Sequence, residues 1–485
     1  MKSFICSFLL LVLFWQGAHG EAQYDEPLDH PFTLRNTQPF LLENRYHQLI
    51  TKESETSFAF PQKGTGPPFA SKINFSEKNN AYHLTMTPLV GGEFRYIGEK
   101  ARTFDLGVQL RGYINNLSFY LDTRMFTEMH DDFNHPSYDR EFVERQNEDL
   151  SEGLAFSSYS RYRSNVSLNF KYLRVVVARD ALHWGPSLYS ALMFNQNAIP
   201  FNHIRLESSL GPFRVISVYG QLAIDGGNNF RTNSDSRSVY AHRYEWNINR
   251  HLLVGVSEQL VLYNSEDPFA FIPIVPLYIA KGNMEERKNN GNIAFDVSYR
   301  FLKSFNAYSE FLIDDIMSPN SLFNDFWGNK WGWVAGLHYA RNLSNKNISQ
   351  LGVVTEYSRV EPWVYTHYAP NTSQSANQRI SLGNPLGPNS QSLTNKVYLR
   401  GGENWYISIK NDLLWKGTDL GSQIQDSITK VAENSPKELI KGISKPEYNL
   451  SLEAHIKFLN SLGLEARVTL GSRDRRFTSR IQYYY

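Results

Sequence analysis

Cysteine is nearly absent: among 485 residues the only one is Cys6. It falls within the first twenty residues, which read as a secretory signal. Lys2 is the positive start, Phe4 to Trp15 the apolar core and Ala18-His19-Gly20 a small-x-small cleavage site. That core is shorter than the roughly 20 apolar residues a spanning helix needs, which argues against the alternative of an uncleaved anchor. An exported chain beginning near Glu21 then carries no thiol, which excludes disulfides and zinc sites built on cysteine.

Long apolar runs are missing as well. The longest candidate after the signal, Phe271 to Ala280, is ten residues long and contains Pro273 and Pro276. An excess of one charge is also lacking: Lys+Arg 49 against Asp+Glu 48 gives +1, so nothing marks a nucleic-acid binder. No HExxH, GxSxG or phosphate-binding GxxxxGK[ST] is present. Aromatic residues, in contrast, are plentiful at 14%, with 28 Tyr and 31 Phe. A polar, aromatic-rich, exported chain without membrane helices suits an outer-membrane β-barrel, in which the sheet closes on itself and leaves no edge.

Residues 21–78 do not read as strands. Thr37 is an N-cap candidate, Pro39 suits a first helical turn, and Leu42, Tyr46 and Leu49 repeat as one helix face. Gly64 to Pro68 ends the pattern. A small periplasmic helical segment and an unstructured leader are both compatible with this.

From Tyr82 the period becomes two. Phe104, Leu106, Val108 and Leu110 interleave with Asp105, Gly107, Gln109 and Arg111. After Asn115-Asn116 the residues Leu117, Phe119 and Leu121 interleave with Ser118, Tyr120 and Asp122, which is a hairpin pattern. Val166 to Tyr172, Ile293 to Phe301, Leu450 to Ile456 and Leu464 to Leu470 alternate in the same way. The stretch from Arg174 to Gln221 joins three such runs through a Trp184-Gly185-Pro186 turn. Roughly 400 residues of this pattern, at about ten per strand plus connections, predict on the order of 16–20 strands. The expectation is therefore an all-β protein: one large antiparallel transmembrane β-barrel over 79–485, with a small N-terminal helical segment. Its charged face would line the lumen and its apolar face meet lipid. Phe477, Ile481, Tyr483 and Tyr485 form one face of a last aromatic strand, of the kind the barrel insertion machinery reads.

Long polar insertions are expected near 127–153, 362–394 and 413–446, and in such barrels long connections lie outside. The third carries a helical pattern, Leu420, Ile424, Ile428 and Val431, that would cover or plug the mouth. Asp131-Asp132 and Asp314-Asp315 are carboxylate pairs suited to Ca²⁺ or acid–base work. Adjacent strand residues point to opposite faces, however, so neither pair converges in a strand. His183, His203, His242 and His367 lack metal-ligand spacing, and no nucleophile–base set assembles. The expectation is thus neither an enzyme nor a metal- or cofactor-binding protein.

Several segments resemble the capsule assembly Wzi family. They are Arg179-Asp180 with His183-Trp184-Gly185-Pro186, Asn197 to Phe201 with Ile204 to Leu206, and Tyr308 to Asp315. Glu356 to Pro362 with Tyr365 to His367, and Leu382 to Asn389, follow in order. The resemblance implies a monomeric outer-membrane barrel of about 18 strands, closed at its periplasmic end by a small helical element. It also implies a surface lectin that holds capsular or related polysaccharide on the bacterial outer membrane.

Sugars present apolar C–H faces and many hydroxyls, so aromatic platforms beside polar groups suit them. Trp363, Tyr365, His367, Tyr368, Asn371 and Arg379 offer that mixture in one loop region, the alternative being an interfacial aromatic girdle. Arg179, Asp180, Glu310, Asp314, Arg359 and Glu361 are expected to form a lumenal charge network. Expected partners are surface polysaccharide, outer-membrane lipid and, during biogenesis, the barrel insertion machinery. A porin or substrate-specific channel shares these signatures, and an outer-membrane barrel hydrolase is the third reading.

Overall fold

The computed structural model describes residues 82–96, 100–114, 116–130, 145–151, 154–170, 172–223, 236–277, 289–302 and 304–316. It further describes 322–343, 347–367, 372–378, 380–401, 405–426, 436–440, 446–459, 462–471 and 475–483. The expected signal, the helical segment of 21–78 and Asp131-Asp132 lie outside these residues.

The first strands are β1 (Tyr82–Tyr96), β2 (Lys100–Ile114), β3 (Leu117–His130), β4 (Arg145–Ser151) and β5 (Leu154–Asn169). Next come β6 (Leu173–Asp180), β7 (Phe201–Leu210), β8 (Phe213–Leu222), β9 (Arg237–Asn247) and β10 (Leu252–Tyr263). Then follow β11 (Asn289–Phe301), β12 (Phe305–Asp315), β13 (Lys330–Asn342) and β14 (Gln350–Val360). The short pair β15 (Ala376–Asn377) and β16 (Ile380–Ser381) stands apart from the wall. The last are β17 (Ser390–Gly401), β18 (Trp405–Lys416), β19 (Glu447–Leu459), β20 (Leu462–Gly471) and β21 (Arg475–Tyr483).

Each wall strand pairs antiparallel with its neighbour in sequence, and β21 pairs with β1, where Phe477 stands opposite Phe94. Among the described residues, setting aside β4, β15 and β16, the 21 strands leave 18 that close the ring. Closure pairs every strand on both sides, the condition for crossing a bilayer with strands. Beyond Arg179, where β6 stops accompanying β5, β4 takes over the same edge of β5.

The period-two pattern resolves onto two faces. Phe104, Leu106, Val166, Leu168, Phe295, Val297, Ile407 and Ile409 are exposed on the outside, whereas Asp105, Asp122, Ser167, Asp296 and Glu453 are buried inside. Stacked rings collect at one end of the wall: Phe213 on Trp246 at 5.5 Å and Phe301 on Phe305 at 5.3 Å. That is an aromatic girdle at a membrane interface.

At this end connections such as 211–212 and 248–251 are short, while 181–200, 361–389 and 417–446 leave from the other. Wall strands run into the expected insertions, β3 to His130, β17 from Ser390 and β18 to Lys416. Over 417–426 the backbone forms turns rather than the expected helix, and Leu420 is exposed while Ile424 is buried. The remainder of that pattern, Ile428 and Val431, lies outside the described residues.

Candidate functional site

The mouth formed by the long connections is filled by two of them, which fold down into the barrel. Connection 181–200 is held by two carboxylates that the even-numbered positions of β12 and β14 turn inward. Glu310 accepts the amide hydrogens of Ser187 at 2.7 Å and Leu192 at 3.0 Å, one on each oxygen. Glu356 accepts those of Leu188 at 2.7 Å, Ser190 at 2.8 Å and Tyr189 at 3.2 Å, together with the hydroxyl of Tyr308 at 2.8 Å. A typical buried hydrogen bond contributes about 0.5–1.5 kcal/mol, and these close a loop that would otherwise strand its amides away from water. Gly185 makes the approach possible: its φ is +99°, and a Cβ there would stand 2.2 Å from Glu310 Oε1.

Connection 361–389 packs against the first. Asp314, also turned inward, accepts the Tyr365 amide at 2.6 Å, and the Tyr365 hydroxyl donates to the Leu192 carbonyl at 2.8 Å. The same hydroxyl accepts from the Asn384 amide at 3.1 Å, and the Asn195 amide donates to the Leu382 carbonyl at 2.6 Å. Burial pushes the Tyr365 phenol well above its ordinary value, with the Asp314 and Glu310 charges adding to the rise and the Asn384 amide opposing it. Around these bonds Trp184, Leu188, Leu192, Phe194, Val364 and Leu382 form one apolar core with wall residues such as Val218, Val261 and Leu312. Burying a Leu or Phe side chain contributes about 1.5–3 kcal/mol, so the filling is a packed core.

Level with its tip, the wall carries a ladder of charge. Arg205 and Arg214 flank Glu207 at 2.6 and 2.7 Å, and Arg243 joins Glu245 at 2.7 Å to Asp296 at 2.7 Å. A second group, Glu453, His455 and Glu465, brings three possible metal donors within 4.8 Å of one another. Lys396 stands 4.0 Å from Glu453, so the group already contains a cation.

The expected lumenal residues divide by strand parity. Asp180, Glu310 and Asp314 are inside and buried, with Asp180 3.1 Å from Arg163. Arg179 is not in that network: as the neighbour of Asp180 it faces outward, 4.8 Å over the Tyr162 ring. Arg359 corrects the expectation in the same way. It lies outside at the rim, 5.0 Å over the Trp331 ring and 2.6 Å from Glu361, which Lys437 also meets at 3.1 Å. Burial lowers the Lys437 amine below its ordinary value, and the Glu361 charge works against that shift.

Of the expected sugar-facing residues, Trp363 and Tyr365 are buried, at 3% and 1% exposure, and their rings are structural. Both adopt left-handed backbone, with φ +71° and +68°. The Trp363 amide donates to the Gly421 carbonyl at 2.9 Å, and Gly421 has no Cβ to collide with the ring. His367 is half-buried at the mouth, with Nδ1 3.3 Å from the Thr372 hydroxyl. Tyr368, Asn371 and Arg379 lie outside the described residues. Asp314 and Asp315 diverge as expected, Asp315 pointing out to Lys330 at 3.7 Å. Sequence reading missed Glu356 as a holder of the filling; its alternation with outward Val353 and Thr355 was the available signal.

Comparison with known proteins adds three findings. The model of the family described as capsule assembly protein Wzi matches residues 74–467. None of the curated proteins matches the sequence. Among solved structures, the barrel is similar to Wzi of Escherichia coli, an outer membrane protein involved in group 1 capsule assembly and a carbohydrate-binding β-barrel. That likeness has a TM-score of 0.52 at 11% identity and covers 82% of this chain and 84% of that one. The OccAB2 protein of Acinetobacter baumannii aligns with a TM-score of 0.46 at 12% identity, over 83% of this chain and 97% of its own.

Proposed function

This chain belongs to the capsule assembly protein Wzi family, and from that premise we propose that it binds surface polysaccharide and helps to assemble a capsule without catalysing a reaction. It is a barrel of the bacterial outer membrane. The family match over 74–467 carries the reading. The polymer is capsular or a related surface glycan, and the long connections at the mouth meet it, with His367 the described candidate for contact. Two features of the lumen support binding over transport or hydrolysis. Among the described residues, the upper lumen is occupied by a packed apolar core. Glu310, Glu356 and Asp314, the carboxylates nearest that core, are occupied by main-chain amides.

Titration of the purified full-length protein with capsular polysaccharide from its own host tests the reading. Saturable binding is expected, well above that to an unrelated dextran. Equal binding to both polymers, or release of reducing ends during incubation, would contradict it.

A further inference from the structure

One hydrogen-bonded row on the outside of the wall breaks the apolar pattern. It runs Leu206, Ser217, His242, Glu258, Ile293 across β7 to β11. Its two ends are apolar, and Ile293 opens the exposed band that continues through Phe295 and Val297. Between them stand a hydroxyl, an imidazole and a carboxylate, with His242 Nδ1 3.0 Å from Glu258 Oε1. Bare polar groups at this level would face hydrocarbon, which is costly.

They are not bare. The connection after β10 turns back over the outer surface and covers them, burying Ala270 and Leu277 against Tyr240, Leu260 and Leu262. Two groups of the row, Ser217 and Glu258, and the neighbouring Tyr244 each pair with this strap. Ser217 donates to the Phe271 carbonyl, Tyr244 donates to the Pro273 carbonyl at 3.0 Å, and Glu258 accepts the Leu277 amide at 2.9 Å.

The strap itself is built for an apolar medium. Pro268, Pro273 and Pro276 have no N–H, and Phe269, Ala270, Ile272, Ile274, Val275 and Leu277 each donate theirs within the protein. Irregular backbone is tolerated at membrane depth only when its polar groups are satisfied in this way. Its free side is apolar too: Ile274 is 85% exposed and Phe269 64%.

We propose that the strap over 268–277 is embedded in the membrane, its Ile274 and Phe269 side chains lying among lipid acyl chains beside the barrel. The Ser217, His242 and Glu258 row is then its anchorage on the wall.

The test uses full-length protein with Cys6→Ser, labelled with bimane at Ile274→Cys and reconstituted in phosphatidylcholine vesicles with or without brominated acyl chains. Phe295→Cys on the exposed outer band and Arg250→Cys in a short turn are the references, and Phe269→Cys is a second strap position. Bromolipid should quench both strap labels about as strongly as Phe295→Cys and several-fold more than Arg250→Cys. Aqueous iodide should show the reverse order. Strap labels that behave like Arg250→Cys overturn the proposal. So does protection from both quenchers, which would place a protein, such as a second copy of this chain, over the strap.

Discussion

The carboxylate of Glu356 accepts the amide hydrogen of Leu188 at 2.7 Å across 168 residues of sequence. That bond and its partners at Glu310 fasten a connection into the lumen.

Replacing Glu310 and Glu356 together by Ala removes the acceptors for buried amides of residues 187–192. Each unsatisfied buried donor costs about 1–3 kcal/mol, enough in sum to release the filling while the wall persists. In planar bilayers the wild-type protein should give no porin-sized current, and the double variant should give clear steps. Porin-sized current through the wild type would contradict a closed lumen.

Gly185→Ala should be damaging out of proportion to its size. The new methyl group would meet Glu310, and alanine disfavours the left-handed φ of +99°. A loss of more than about 1 kcal/mol is expected, read as a lower Tm. Gly211→Ala, also at positive φ (+60°) but with nothing within 4 Å, separates the backbone penalty from the clash.

Tyr365→Phe deletes one hydroxyl that donates to Leu192 and accepts from Asn384, at a cost of about 1–3 kcal/mol. Its pH signature is specific. Because burial holds this phenol above its ordinary value of 10.0, its contribution is fully present below pH 10. As pH rises further the unfolded tyrosine ionises first, and stability is lost. The variant should therefore show a shallower fall of Tm above pH 10 than the wild type. Parallel curves would contradict the burial.

Trp363→Ala and His367→Ala should part company. Trp363 is packed against Gly421 and 6.3 Å from the Trp327 ring, so its truncation should cost about 3–5 kcal/mol and reduce folded protein. His367→Ala should leave Tm within about 1 kcal/mol of stability and weaken polysaccharide binding by the folded molecules.

The wall was legible in the sequence because its physics is local. Residues such as Ile293, Phe295 and Val297 alternate with Ala294, Asp296 and Ser298, and a two-residue period in a closed sheet assigns each to lipid or lumen. The same rule, applied to single residues, would have sent Arg179 and Asp180 to opposite faces, as the structure does. The filling was not legible, because nothing near Leu188 in sequence announces Glu356. Neither did composition distinguish an aromatic residue that meets sugar from one, like Tyr365, that ties two connections together. The run from Phe271 to Ala280 reads only as a span too short to cross a membrane; the wall partners of Phe271, Pro273 and Leu277 within it, Ser217, Tyr244 and Glu258, come from three other places in the chain.

The most direct measurement of the central claim is the ratio of cell-attached to released surface polysaccharide in the parent strain, in a strain without this gene, and in that strain complemented. Binding at the mouth predicts unchanged total polymer with a shift into the medium when the gene is lost, reversed on complementation. An unchanged ratio, or a fall in total polymer with the attached fraction preserved, would contradict it.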